Sequence, residues 1–166
     1  MKTTQLGILL ALLIISVACQ SACADDALAA GACKGKCTTE GEAAVTLSHC
    51  YAFVDQKDDR KPTLLIVSDI ELPADQWTSE FDLMEKAAKF PFSGAIFFLD
   101  DQGAVFRSDF YWKGRQSSVS GYFAASFDKK TGGEFIGTVA TSKTSDPKDP
   151  KVDASFHAKV KTPIAK

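Results

Sequence analysis

Between Lys151 and Lys161 apolar and polar residues alternate without a break: Val152, Ala154, Phe156, Ala158 and Val160 against Asp153, Ser155, His157, Lys159 and Lys161. Successive side chains of a β-strand point to opposite faces, so this pattern fits a strand with one buried and one wet face. It fits no helix, whose apolar residues recur every three or four positions. A period of two also runs through 43–54, where Val45, Leu47, Tyr51 and Phe53 are apolar and Thr46 and Ser48 polar. Thr63 to Val67 is a continuous β-branched and Leu run, suited to a strand buried on both faces. Ala95–Leu99, Val105–Trp112, Ser118–Phe127 and Glu134–Thr141 complete a set of seven strands. In the third of these, Val119, Gly121, Phe123, Ala125 and Phe127 share one face. Turns are expected at Asp100 to Gly103, at Lys113-Gly114 and at Lys129 to Gly133.

One helix interrupts the strands. After Pro73, with caps available at Asp75 or Ser79, the residues Trp77, Phe81, Met84 and Ala88 recur at helical spacing, and Leu83 and Ala87 widen the stripe. Phe90-Pro91 ends it, because a proline disfavours helical geometry in the residue before it. The expected fold is α+β: a predominantly antiparallel sheet or barrel-like meander, with one main helix inserted between the second and third strands.

The N-terminus has the three parts of an export signal. Lys2 supplies the positive charge, Leu6 to Ile15 an apolar run broken only by Gly7, and Ser16 to Ala24 the small residues that precede cleavage. The apolar run is short of the roughly 20 residues that span a bilayer. Cleavage after Ala18 and cleavage after Ala24 both satisfy the small-x-small rule. A third possibility is lipidation of Cys19 behind Ser16-Val17-Ala18, although Ser16 replaces the usual large aliphatic. The expected organisation is a signal peptide over 1–18, with an alternative end at 24, then a flexible Ala- and Gly-rich tether over 19–36 and a single β-rich domain over 37–166. The expected location is outside the cytosol: periplasm, as an outer-membrane lipoprotein, or secreted.

Five cysteines, Cys19, Cys23, Cys33, Cys37 and Cys50, all lie in the first third of the chain. Lipidation of Cys19 leaves an even four, so Cys23, Cys33, Cys37 and Cys50 are the disulfide candidates of an exported protein, with three pairings open. A bridge from Cys33 or Cys37 to Cys50 closes a loop of 13 to 17 residues and is worth about 3 kcal/mol by chain entropy.

Little in the chain suggests chemistry. His49 and Cys50 are neighbours on a strand and so point apart. Cys33-x3-Cys37 has no second ligand pair for zinc. Asp58-Asp59 and Asp100-Asp101 read as solvated turn residues, and no phosphate-binding, dinucleotide or nucleophile-elbow motif is present. No catalytic residue, metal site or cofactor is expected. Nineteen Lys and Arg stand against 21 Asp and Glu, and removal of Lys2 leaves 18 against 21, or −3, a balance that argues against nucleic acid. The most suggestive stretch runs from Phe106 to Arg115. With Phe106, Phe110 and Trp112 in the core at a period of two, Arg107, Asp109 and Tyr111 are displayed on the other face, with Arg115 beyond the turn. These are residue types enriched at protein interfaces.

The segments Val45-x-Leu47-Ser48-His49-Cys50-Tyr51-Ala52-Phe53, Leu64 to Asp69 with Leu72-Pro73, Gly137-x-Val139 and the Phe156 strand resemble those of small exported bacterial envelope proteins. That resemblance covers most of the mature chain, rests on structural motifs, and implies an envelope location without any functional residue. The expected function is therefore a non-enzymatic envelope or secreted binding protein, such as an inhibitor or immunity protein acting on another protein outside the cytosol. Membrane contact is expected only through a lipid anchor. The alternatives are a small-molecule or lipid-binding β domain, with its ligand between helix and sheet or inside a barrel, and third a hydrolase.

Overall fold

The computed structural model describes residues 27–87, 89–118, 123–131, 133–141 and 149–161. The expected signal segment with Cys19 and Cys23, and the side chains of Ala88, Val119 and Gly121, lie outside the described residues. Among the described residues nine strands occur in the order β1 (Ala32–Thr38), β2 (Val45–Val54), β3 (Thr63–Ser68), β4 (Gly94–Leu99), β5 (Val105–Trp112), β6 (Arg115–Ser118), β7 (Phe123–Thr131), β8 (Glu134–Thr141) and β9 (Lys151–Lys161). They form one sheet ordered β6-β5-β4-β3-β2-β1-β9-β8-β7. Every ladder is antiparallel except a short parallel pairing of β2 with β9 at Ala52–Val160 and Phe53–Lys161.

The two strands beyond the expected seven are β1 and β6. Residues 32–36, expected as the end of a tether, lie inside β1, which is hydrogen-bonded to β2 on one side and β9 on the other. Its alternation is real but made of small residues: Cys33 and Cys37 are buried with Gly35 between them, while Lys34 and Lys36 are exposed. This strand also corrects the position of the helix, α1 (Glu80–Ala87), which follows β3 rather than the second strand. The last two residues before the expected turn at Lys113-Gly114 and the first two after it pair as Trp112–Arg115 and Tyr111–Gln116, the tight hairpin that made β6. Both turn residues have positive φ, 48° and 80°, which a two-residue hairpin of this kind requires.

Sheet curvature gives the molecule two cores. On the inner face, Phe97 of β4 meets Phe123 of β7 edge-on with centroids 5.6 Å apart, and Phe127, Phe135 and Phe156 pack beside them. Residues of both sheet ends thus share one apolar cluster. No ladder joins β6 to β7 among the described residues, so the sheet curls without closing into a barrel. On the outer face of β3 to β5, a 3₁₀ turn at Ala74–Gln76 and the helix α1 cover Leu64, Ile66, Ile96, Phe98 and Tyr111. The outer face of β9 stays wet, as its alternation predicts.

Strand β2 departs from its expected phase. Val45 and Leu47 face the inner core, but Cys50 and Ala52 follow them there, and Tyr51 and Phe53 face the helix side. The switch sits where the β1 ladder carries an extra residue, between the pairs Ala32–His49 and Gly35–Leu47, a bulge that re-aims the side chains around it.

Candidate functional site

The helix is shorter than its apolar spacing suggests because its start is fixed downstream of Trp77. Ser79 Oγ accepts the Asp82 amide at 3.2 Å, and Asp82 reaches back to the amide and hydroxyl of Thr78 at 2.9 and 2.8 Å, a variant of the reciprocal cap found at helix starts. A third cap comes from outside. Asp55, buried at the end of β2, accepts the Glu80 amide at 2.8 Å with one oxygen and the amides of Lys57 and Asp58 with the other. One carboxylate therefore ties the 55–62 turn to the first turn of α1.

With its first turn at Glu80, α1 buries Leu83 fully. Phe81 lies two residues, and so about 200°, from Leu83 around the helix, and it points away from the sheet. Phe81 is 67% exposed and Met84 47%, whereas both were expected in the buried stripe. Trp77 is buried as expected, but it precedes the helix and packs edge-on against Phe53.

Burial pushes the Asp82 carboxyl upward, but the Thr78 amide and hydroxyl, the Ser79 hydroxyl and Lys57 outweigh it and hold the group at about 2, below its ordinary 3.8. A carboxylate lowered in the folded state contributes stability that is fully present above its ordinary range and is lost as pH falls from about 4 to 2. The Asp82→Ala variant is expected to lose about 1–2 kcal/mol at pH 7, the worth of a cap plus a partly screened charge. Urea denaturation at pH 7 and pH 2.5 checks this: the gap between variant and parent must narrow at the lower pH.

The expected display of Arg107, Asp109 and Tyr111 is corrected by the covering helix. The three do share a face opposite Phe110, but that face lies beneath the connection between β3 and β4: Asp109 is only 1% exposed and Tyr111 is buried in a stack with Phe92 at 4.7 Å. Burial, reinforced by the charges of Asp109 and Glu80, pushes the Tyr111 hydroxyl up to about 12. Arg107 bridges two carboxylates. It donates to Asp109 through Nε at 3.3 Å and Nη2 at 2.6 Å, and to Glu80 through Nη1 at 3.2 Å and Nη2 at 2.7 Å. Gln116 of β6 adds a bond to Asp109 at 3.0 Å. This cluster fastens the start of α1 onto β5. Arg115 is exposed and sits opposite Trp112, one residue out of phase with Gln116 and so on the other face.

Phe106, expected in the core with Phe110 and Trp112, is 44% exposed. The β4–β5 register shifts between Phe98–Arg107 and Leu99–Val105, leaving Phe106 as the unpaired bulge residue. Its ring turns to the helix side, 6.3 Å from Phe98, and the Arg60 guanidinium lies 5.2 Å above it. Lys57 Nζ stands 5.6 Å from the Phe81 ring. A shallow hollow of about 320 Å³ lies among Asp55, Lys57, Asp58, Glu80, Phe81 and Met84. Phe81, Met84 and Lys57 border this hollow, and Asp58 in its lining holds Arg60, whose guanidinium covers Phe106, so apolar side chains and charges of both signs meet around the foot of α1.

The other expected positions are occupied by structural roles. Asp100 accepts the Gln102 and Ala104 amides at 2.9 and 2.7 Å within the turn that Gly103 (φ 79°) completes. Asp58 binds Arg60 at 2.9 Å, and this hydrogen bond is the main force lowering its carboxyl. Asp69 accepts the Ser93 amide at 2.7 Å, and His157 Nδ1 lies 2.7 Å from the Leu28 carbonyl, pinning the chain where it enters β1. Cys33, Cys37 and Cys50, expected as disulfide partners, are free and buried on the inner face; Cys50 Sγ donates to the Ala32 carbonyl at 3.1 Å. Burial pushes all three thiols up to about 12, so reactive thiolate is scarce at neutral pH. The space between helix and sheet is filled by Phe, Leu and Ile side chains rather than open to a ligand. A cavity of about 630 Å³ lies instead at the fork of β2 and β9, among Gly31, Tyr51, Asp75, Lys159 and Lys161.

The surface around α1 was missed because its apolar members were assigned to the core. The usable signal was Ser79-x-x-Asp82, which places the cap and rotates Phe81 outward. The chain matches no protein-family model, no curated protein and no solved structure.

Proposed function

We propose that this chain is an exported, non-enzymatic binding protein whose partner is another protein, engaged through Phe81, Met84 and Phe106 with Lys57 and Arg60 around them. An inhibitor or immunity protein of the bacterial envelope fits this reading. The observation that carries it is the exposure of three large apolar side chains on one side of an otherwise ordinary surface. Aromatic, Met and Arg side chains are the types enriched at interfaces, and an exposed apolar group has no folding role that accounts for it. The support beneath them is rigid, since Asp55, Asp109 and Glu80 fix the helix and the neighbouring turn in place.

Affinity capture from envelope extracts of the natural host tests the proposal, with the parent chain and the triple variant Phe81→Ser, Met84→Ser, Phe106→Ser run side by side. A partner captured by the parent and then purified is expected to bind the variant at least about 100-fold more weakly, an effect of two hot-spot residues. A partner that binds both alike, or capture of nothing specific, overturns it. The three side chains are 67%, 47% and 44% exposed, and the melting temperature of the triple variant should stay within a few degrees of the parent's.

One observation favours a second reading. The 630 Å³ cavity at the β2–β9 fork falls in the size range of small-molecule sites. Its lining pairs Lys159 and Lys161 with Tyr51, which suits an amphipathic anion such as a fatty acid.

A further inference from the structure

We infer that Cys33 and Cys50 form a disulfide that ties β1 to β2 across the bulge while Cys37 stays a thiol, an inference independent of the docking surface proposed above. The three buried thiols share the inner face, but strand spacing separates two of the possible pairs. Cys33 and Cys37 are four residues apart on one strand, about 13 Å at the usual rise. Cys37 pairs with Val45, which lies five residues, about 16 Å, from Cys50 along β2. Neither spacing suits a bond that needs its Cα atoms within about 7 Å.

Cys33 and Cys50 meet instead. Counted from the direct pair Gly35–Leu47, the next inner-face residue on β1 is Cys33 and the next on β2 is Cys50. The Cys50 amide donates to the Gly31 carbonyl at 2.9 Å and Cys50 Sγ to the Ala32 carbonyl at 3.1 Å, so the sulfur rests on the peptide group that leads into Cys33. A charge on Cys50 opposes ionisation of Cys33 more strongly than a charge on Cys37 does, the order expected when Cys50 is the nearer. Cys50 also lines the cavity at the β2–β9 fork, which gives a small disulfide oxidant a way in. The Cys50 thiolate attacks such an oxidant and displaces one of its sulfurs; the Cys33 thiolate then attacks the Cys50 sulfur and displaces the other. Two protein thiols become one S–S bond, the S–S bond of the oxidant is reduced, and the two protons leave on its thiols. Burial makes these steps slow in the folded chain, so the bond forms chiefly while the chain folds. The bridge closes the loop from 33 to 50 at the point where β2 changes phase.

The test denatures and reduces the chain purified from its natural host, refolds it in a mixture of reduced and oxidised glutathione, alkylates the remaining thiols and maps the bonds. Trypsin with a protease that cuts after Asp and Glu puts Cys33, Cys37 and Cys50 on separate fragments, 27–34, 37–40 and 43–55, with Cys19 and Cys23 upstream of the cut at Asp26. The expected product is fragment 27–34 linked to fragment 43–55, lighter than the sum of the two by two hydrogens, with Cys37 alkylated. The linked chain should melt at least about 5 °C above its reduced form, the gain usual for a loop of this length in a domain of this size. The Cys37→Ala chain should keep the same link. A bond that joins Cys33 or Cys50 to Cys37, Cys19 or Cys23, or refolding that leaves Cys33 and Cys50 both alkylated, overturns the inference, and the mapping on the parent chain decides it even where a variant fails to fold.

Discussion

The Arg107→Ala variant is expected to lose about 2–4 kcal/mol of folding stability, enough to move a urea midpoint by about 1–2 M at the slopes usual for a domain of this size. Asp109 is the reason. Its carboxylate is 1% exposed, and among the described residues two of the three side-chain nitrogens bonded to it belong to Arg107 and the third to Gln116, so truncation strips a buried charge of most of these partners. Removing one member of a buried pair costs more than the pair contributes, because the remaining ion has already given up its water. Arg107 itself is 38% exposed, so water can reach part of the vacated space, which keeps the expected loss below the upper limit for such sites. Replacing both residues, as Arg107→Met with Asp109→Leu, should recover most of the loss, to within about 1 kcal/mol of the parent, since no fully buried charge is left and Glu80, which also loses Arg107, is 25% exposed and open to water. If Arg107→Ala melts within about 0.5 kcal/mol of the parent, the cluster is an ordinary screened surface pair and does not hold the helix to the sheet.

The legibility of this fold follows the size of the side chains that carry its pattern. Strand β9 was readable because Val152, Phe156 and Val160 contrast sharply with Lys and Asp. β1 follows the same alternation, but its inward residues are Cys33, Gly35 and Cys37, and a Cys-Lys-Gly-Lys-Cys run set in Ala- and Gly-rich sequence carries almost no hydrophobic contrast. Its burial comes from position between two stronger strands, which is a tertiary fact. Bulges account for the errors of phase. A one-residue shift moves every later side chain to the other face, so the inserted residue in β1 turned Tyr51 and Phe53 toward the helix, and the one in β5 brought Phe106 to the surface. On the face of β5 opposite Phe110 the parity of Arg107, Asp109 and Tyr111 was correct, but a strand's alternation says only that two faces differ. Whether the second face meets solvent depends on where the connection between β3 and β4 lies, and no local pattern in β5 encodes that. The proposed surface was hidden for a related reason. An aromatic in a helix reads as core by default, and only the capping geometry of Ser79 and Asp82 fixes the rotation that exposes Phe81.

The Gly35→Val variant should be the most damaging single change in the N-terminal third of the chain, and it separates the two readings of residues 19–36. In β1, Gly35 pairs with Leu47 on one side and Ala154 on the other. A Cβ built at this position would fall well inside the van der Waals radii of the Asp153 carbonyl oxygen and the Ala154 Cα and Cβ. The obstacle is neighbouring backbone and a short side chain, so no rotamer change relieves it. β1 would have to move away from β9, giving up ladder bonds on both sides and opening the inner core around Cys33 and Cys37. Overpacking of a rigid site costs about 1–3 kcal/mol, and the lost central pairing takes the expected total to about 4 kcal/mol or more, a large part of the 5–15 kcal/mol that holds a domain together. By thermal circular dichroism the transition should fall by at least about 10 °C or lose its cooperativity. Lys34→Val and Lys36→Val supply the contrast, since both side chains are exposed in the same strand and a β-branched residue suits it, so each should melt within about 0.5 kcal/mol of the parent. A tether would accept valine at 34, 35 and 36 equally. Equal melting of all three variants would remove β1 from the sheet, and with it the bulge that sets the phase of β2.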